Sequence, residues 1–340
     1  MWITRPARDA DAEKLLAIAA QADPLVHTFP RDRASIEDAI ARTNDALSLQ
    51  IDVPCDEYYL MVLEDPAGDL RGAAAICSAA GSGGAFFVYR NDVIHHVSRD
   101  LKITNSVHAL TLCSDLTHHS QLQGFFIGEG CDESWAASLL SRSRLMFAAR
   151  ERQRFGEDFV VSLAGCMDQD YQSPFWNAIG RKFFDMDLIS AERMIRGARN
   201  GTLIVEVMPH YPVYVPLLPN DVRALMGQMH SESNLPFEIL EKEGFRSDRY
   251  IDIFDGGPIL VANASQIRTI AEARTYSIDA SEVAETAERY LVANVGAPEA
   301  FRCVVSRATP WIGDGYVALP KETLDALCLS SNDSVIVAPM

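Results

Sequence analysis

Two apolar runs, Tyr58–Glu64 and Gly72–Ser78, flank the segment Asp65-Pro66-Ala67-Gly68-Asp69. Pro and Gly between two Asp residues favour a turn, and strand-forming residues on either side predict a hairpin. The elements around it are compatible with a sheet. Trp2 to Arg5 predicts a short strand ended by Pro6. Asp9 or Asp11 then caps a helix with Leu15, Ile18 and Ala19 on one face. Gln121 to Ile127 predicts another strand. A polar loop follows, then a helix from about Ser134 to Arg150, whose apolar face uses Ala136, Leu139, Leu140 and Phe147. Asp158 to Ala164 returns as a strand, and a short helix runs from Pro174 to Ile179. This order of elements predicts an α+β fold, a mixed central sheet with helices on both sides.

Beyond residue 200 the expected elements are a strand at Leu203–Val207, helices at Pro219–Met229 and Pro236–Gly244, and a strand at Tyr250–Phe254. From about Arg289 onward, short β-prone runs (Leu291–Asn294, Arg302–Ser306, Tyr316–Leu319, Ser334–Val337) suggest a small β-rich unit. The chain therefore divides into a main domain, residues 1–275, and a C-terminal β-rich domain, residues 276–340.

A formal charge of −17 argues against a nucleic-acid partner, because phosphate binding needs clustered Lys and Arg. It suits solubility and mildly favours a cationic small substrate. The seven cysteines are scattered without a CxxC pair, which fits buried thiols in a reducing compartment. No apolar run approaches membrane-spanning length, and the N-terminus lacks the basic start and apolar stretch of a signal peptide. The expectation is a cytoplasmic protein without a membrane partner. The pairs His95-His96 and His118-His119 lack metal-ligand spacing, so no metal site is expected. Walker, GxGxxG and GxSxG motifs are absent.

Several longer segments carry a family resemblance. They are Tyr171–Asp187 (YQSPFWNAIGRKFFDMD), Glu206–Tyr214 (EVMPHYPVY), Gly227–His230 (GQMH), the stretch Leu240–Pro258, Leu139–Arg144 (LLSRSR) and Leu291–Asn294 (LVAN). In order and spacing they resemble the arginine N-succinyltransferase family over nearly the whole chain. The resemblance implies a GNAT-like acyl-CoA N-acyltransferase domain with a small C-terminal β-barrel. It also implies transfer of succinyl from succinyl-CoA to the α-amino group of arginine, in arginine catabolism. Some members accept ornithine, and some act as assemblies of two related subunits, so a homo-oligomer or a hetero-oligomer with a related chain is expected. Succinyl-CoA enters as a co-substrate, and no tightly bound cofactor is expected.

The resemblance places the catalytic histidine at His230, as proton donor to the departing CoA thiolate. It places Phe125, where leucine is usual, on the strand that meets the thioester arm of succinyl-CoA. Read from their chemistry, Asp252 and Asp255 could pair with a guanidinium in bidentate geometry, while turn formation before Gly256-Gly257 explains Asp255 equally well.

The chain departs from the family where CoA phosphates are held. A basic residue and a Gly-x-Gly are usual at the start of the helix after the central strand. Here Asp132, Trp135 and Ala137 occupy those places. One carboxylate about 5 Å from a phosphate charge, at an effective dielectric of about 20, costs roughly 3 kcal/mol. Asp132 and Ser134 suit helix caps instead. Ala22–Thr28 also departs from a glycine-containing family segment, and Leu116 and Gln121 replace polar and acidic positions. Two readings follow. One is an active succinyltransferase whose CoA phosphates are held elsewhere, for instance by Arg142 or Arg144. The other is a catalytically weak or inactive subunit that partners an active paralogue.

Overall fold

The computed structural model describes the chain except residues 22–28, 82–83, 101, 132–133, 169, 171, 198–201, 280, 282, 284–285, 312 and 332; the side chains of 103, 134, 192–193, 195–197, 202–203 and 205 are also not described. The strands are β1 (Ile3–Pro6), β2 (Tyr58–Glu64), β3 (Leu70–Cys77), β4 (Val88–Ser98), β5 (Ile103–Cys113), β6 (Ser120–Ile127), β7 (Asp158–Ser162) and β8 (Val213–Tyr214). They continue with β9 (Arg246–Ile251), β10 (Pro258–Asn263), β11 (Arg274–Asp279), β12 (Arg289–Asn294), β13 (Cys303–Arg307), β14 (Thr309–Trp311), β15 (Tyr316–Ala318) and β16 (Ser334–Pro339). All join one mixed sheet in the order β14-β15-β11-β16-β12-β13-β1-β2-β3-β6-β7-β10-β9-β4-β5-β8. Most neighbours are antiparallel; β6 with β7 and β11 with β15 are parallel.

The hairpin expected from the Pro66–Gly68 turn is β2–β3, and it sits inside the sheet. Its apolar runs do not alternate with polar residues because both faces are covered. Tyr59, Met61 and Leu63 enter one core cluster, and Tyr58, Leu60 and Val62 enter another. The second cluster is closed by α1 (Ala12–Ala19) and α2 (Arg33–Ser48). Asp32 caps α2, accepting a hydrogen bond from the Ser35 N–H. At its far end, the Arg154 guanidinium donates to the carbonyls of Ala46 (2.8 Å) and Leu49 (2.9 Å). β1 is fixed to this layer by Arg5, which donates to both oxygens of Asp11 at 2.7 and 3.0 Å.

The other face belongs to α3 (Ser134–Arg150), and here the structure departs from the expected amphipathic helix. Every residue from Leu139 to Ala148 is buried, Ser141, Arg142, Ser143 and Arg144 included. The apolar face packs on β2 and β3, while the rest of the helix is covered by β12, β13 and the short helix Arg268–Glu272. Burying the polar residues requires partners on every side. Arg142 finds Glu243 at 2.6 Å, Thr269 Oγ1 at 3.0 Å and the Pro339 carbonyl at 2.6 Å. Glu243 in turn accepts from the Thr269 N–H at 2.7 Å.

The C-terminal strands form one continuous run, β15-β11-β16-β12-β13, with β14 beside β15. Only Ala308 separates β13 from β14, so the stretch from Cys303 to Trp311 pairs with β12 at its start and with β15 at its end. Tyr276, Ile278, Val292, Val304, Ala308, Val317, Leu327, Val335 and Val337 pack between these strands.

Other expectations need correction. Leu203–Val207 lies in a helix, Thr202–Val207. The Pro219–Met229 helix shrinks to Asn220–Leu225, and Gly227 at φ +71° leads the chain out toward His230. The long β4–β5 hairpin carries no strong turn signal, and α2, despite its Asp32–Ser35 cap, is absent from the expected elements. Cys55 and Cys328 are exposed, not buried, and all seven thiols are free. No helix among the described residues is long and apolar enough to cross a membrane.

Removing one member of a buried ion pair strands the other charge in the interior. Glu243→Ala is therefore expected to destabilise the chain by about 3–5 kcal/mol. The check is a urea titration, read as a lower midpoint at unchanged slope.

Candidate active site

The site grows from the place where β6 and β7 part. The two parallel strands pair only at Ser120–Phe159 and Gln121–Val160. Beyond that, β6 stays with β3 on its other edge, but the register shifts. Ala73 faces Phe126 and Ala75 faces Gln123, so Gly124 and Phe125 stand opposite Ala74 alone. This is a β-bulge, and Gly124 supplies the positive φ (+60°) that it requires. A bulge bends its strand, so β6 turns from β7 and the carboxyl ends of the two strands diverge on the same edge of the sheet. Crevices outside the carboxyl ends of strands are common ligand sites.

Phe125 lies on the bulge, half-buried, with the Arg144 guanidinium carbon 5.7 Å from its ring centroid. Arg144 is 1% exposed and donates to the carbonyls of Ala75 (3.2 Å), Gln123 (3.3 Å) and Ser141 (3.1 Å) and to Ser141 Oγ (2.9 Å). Among the described residues no carboxylate pairs with it. Burial pulls its pKa down to about 9, which still leaves it charged at neutral pH. Neither Arg142 nor Arg144 is placed to hold CoA phosphates, because both are spent inside the protein.

On the other side of the divergence, three segments are laced together. The chain leaving β7 bridges Gly165 to Met229. The His230 N–H donates to the Ala164 carbonyl at 2.8 Å, and the Gly227 N–H donates to the Gly256 carbonyl at 2.8 Å. Asp255 ties the knot. It is 6% exposed, and its two oxygens accept from the N–H groups of Gly165 (2.7 Å) and Gly257 (2.8 Å). A Cβ on Gly257 would lie 2.3 Å from the Leu163 carbonyl oxygen, so only glycine allows this approach. Asp252 accepts from the Phe254 N–H at 2.8 Å and is half-buried. For Asp255 the turn-forming alternative describes the geometry; its carboxylate is occupied by the backbone.

His230 starts the short 3-10 turn Ser231–Ser233 and is half-buried. Its Nδ1 accepts from the Glu232 N–H at 3.3 Å, so the neutral ring carries its proton on Nε2. Met229 and Phe125 pack against the same core cluster, which places the histidine segment and the bulged strand on one support. Cys166 donates to the Met229 carbonyl at 3.6 Å. Burial, then the nearby Asp255, pushes its thiol pKa up, so it is a protonated lining residue.

Beside the loop after β6 stands a residue the sequence did not advertise. Arg71, on β3, lies against Gly130, where an added Cβ would be 3.3 Å from its Nη1. Arg71 is held by Asp65 at 2.8 Å and Asp69 at 3.6 Å. A cation thus lies beside the loop from the neighbouring strand, where no linear motif reports it. Asp132 and Ala22–Thr28 lie outside the described residues, as does the Ser134 side chain, so their expected capping and substrate roles find no description. Trp135 packs half-buried on the core with the Arg289 guanidinium carbon 6.0 Å from its ring, and Ala137 is buried. Among the described residues no group of three or more His, Cys, Asp or Glu is arranged to hold a metal ion.

The family profile described as arginine N-succinyltransferase beta subunit matches residues 2–269, and that of its C-terminal domain matches residues 272–339. The chain belongs to the arginine N-succinyltransferase family. It is 40% identical to the arginine N-succinyltransferase subunit alpha of Pseudomonas aeruginosa over 336 residues, 98% of each chain. It is 32% identical to the Escherichia coli arginine N-succinyltransferase, over 98% of this chain and 96% of that one. Among solved structures, the arginine/ornithine succinyltransferase subunit AI of Pseudomonas aeruginosa superposes with a TM-score of 0.88 at 38% identity, covering 100% of this chain and 98% of that one. Three of the segments that carry the resemblance in sequence meet here: Gly227–His230 and the Asp252–Pro258 turn are laced together, and Phe175 packs under Gly256.

Asp255→Asn puts an amide N–H₂ against a backbone donor and loses one buried acceptor. The expected cost is about 1–3 kcal/mol, seen as a lowered midpoint in chemical unfolding.

Proposed function

We propose that the chain is an active arginine N-succinyltransferase, moving the succinyl group of succinyl-CoA to the α-amino group of arginine. The observation that carries this is the joining of His230, through Ala164, to the carboxyl end of β7, beside the divergence opened by the β6 bulge. The thioester arm of succinyl-CoA lies in that divergence, along the backbone of Phe125 and the residues after it. A backbone contact tolerates phenylalanine where the family usually has leucine.

The amine attacks the thioester carbon; a C–N bond forms and the C–S bond breaks, with sulfur leaving as thiolate. His230 acts as the acid. Protonation at Nδ1 displaces the long contact from Glu232, and the resulting imidazolium gives its Nε2 proton to sulfur. The ring, now neutral with its proton on Nδ1, takes up the proton the amine loses. Positioning supplies most of the rate, and one acid–base group adds about 10²–10⁴-fold. Asp252 is the carboxylate proposed to meet the arginine guanidinium, with Asp255 building the turn that presents it. Ornithine is the second amine to assay.

In this reading the main domain, residues 1–275, is a GNAT-like acyltransferase. Residues 276–340 form a small barrel, supported by the passage of the Cys303–Trp311 stretch from β12 to β15. The chain assembles with a second copy or a related chain, as the subunit names of its relatives suggest for those proteins.

Thiol release from succinyl-CoA, with and without arginine, tests the reading. His230→Ala is expected to lower kcat by about 10²–10⁴-fold while CoA binding, followed by calorimetry, stays within about twofold. A wild-type chain that neither binds CoA nor releases thiol would sink the proposal. Activity restored only by adding a related chain would make this one a supporting subunit.

A further inference from the structure

Arg144 combines three properties that its neighbours do not share. It is 1% exposed, it has no carboxylate partner among the described residues, and its Nη1 spans two strands, donating to Ala75 on β3 and Gln123 on β6. Those two residues face each other at the edge of the bulge. Arg142, two positions earlier, is buried with Glu243 as counter-ion and serves the C-terminal end of the chain. A buried guanidinium without a carboxylate is costly, and one apolar residue of similar volume would fill the same space more cheaply. The cost is offset by hydrogen bonds to backbone carbonyls on both strands beside the bulge, where the ladder is locally disrupted. Arg144 joins the two strands there from α3, and Ser141 on the preceding turn fixes the other nitrogens, Nε to its carbonyl and Nη2 to its hydroxyl.

We propose that Arg144 is a positioning residue for the acyl donor: it holds the β6 bulge, and so the backbone from Phe125 onward, in the geometry that receives the thioester arm. The inference rests on the proposed use of the β6–β7 divergence by succinyl-CoA. It makes no contact with substrate necessary. A flattened bulge would return β6 toward β7 and close the divergence, so the effect falls on the acyl donor and not on the amine. The same arrangement sets Phe125, whose ring lies over the guanidinium.

Two variants separate positioning from bulk stability. Arg144→Lys keeps a charge but reaches one carbonyl at a time, and Arg144→Met removes the donors. Expected for both is a rise in KM for succinyl-CoA of roughly 10–100-fold, with KM for arginine within about twofold, measured on the folded fraction. Hydrogen exchange gives a readout that needs no turnover: amides of residues 122–127 change protection in Arg144→Met while those of residues 59–63 do not. If both variants keep the wild-type KM for succinyl-CoA and the wild-type exchange pattern over 122–127, the inference is overturned. If rates fall only in proportion to unfolding, with both KM values unchanged, it is overturned as well. Wild-type chain that fails to bind CoA in a calorimetric titration removes the proposed function and the inference with it. Wild-type binding together with unaltered variants removes the inference alone.

Discussion

Much of the architecture depends on one helix that has no exposed face. A helix buried on all sides gains apolar area from every neighbour, and it forces each polar side chain it carries to find a partner. On α3, Arg142 and Arg144 meet that demand in opposite directions. Arg142 reaches outward to Glu243, Thr269 and the penultimate residue Pro339, coupling three separate stretches of chain. Arg144 reaches inward to the sheet and is held against two strands. The C-terminal strands are therefore more than an appendage: β12 and β13 cover a side of α3 that would otherwise face water, and β13 also pairs with β1.

From this support the geometry of the site follows by backbone economy. One extra residue in β6 and a glycine at positive φ bend the strand. One aspartate, Asp255, fastens the end of β7 to the turn before β10. The His230 segment then hangs from Ala164 by a main-chain hydrogen bond. Each of these devices uses peptide groups or a buried carboxylate, so the separation between the diverging strands and the histidine depends little on exposed side chains.

That economy also decides what could be read before the structure was known. β2 and β3 were legible because a Pro–Gly turn between apolar runs has few other solutions, and the mixed sheet was legible from the order of elements. The bulge was not, since Gly124 inside a strand pattern carries no sign of which neighbour it opposes. Asp255 illustrates a different limit. Its two possible roles, turn formation and guanidinium binding, use the same carboxylate chemistry, and only the positions of Gly165 and Gly257 distinguish them. The helix misread as a strand at Leu203–Val207 is a short apolar run, for which periodicity cannot choose between the two. Arg71 was missed because it lies on β3, far in sequence from the loop it adjoins.

The departures from the family pattern fall where side chains, not backbone, set the interaction. Trp135 and Ala137 in place of glycines are absorbed by packing: one ring lies on the core beneath Arg289, and the other methyl is buried in α3. The β6 bulge has its own contact with the same helix, the Arg144 guanidinium donating to the Gln123 carbonyl. Phosphate recognition has no such insulation, because a helix N-terminus and nearby cations act through charge over several ångströms. Arg71 brings a positive group to the Gly128–Cys131 loop, but Asp65 and Asp69 already neutralise much of it. Under the proposed function the consequence is a separation of functions along a single ligand. On that reading the thioester end of an acyl-CoA meets a backbone frame, whereas the phosphate end approaches a loop whose neighbouring cation, Arg71, is already paired with Asp65 and Asp69. If the thioester arm lies there as proposed, sequence drift at the loop alters how tightly CoA is held before it alters where the thioester sits.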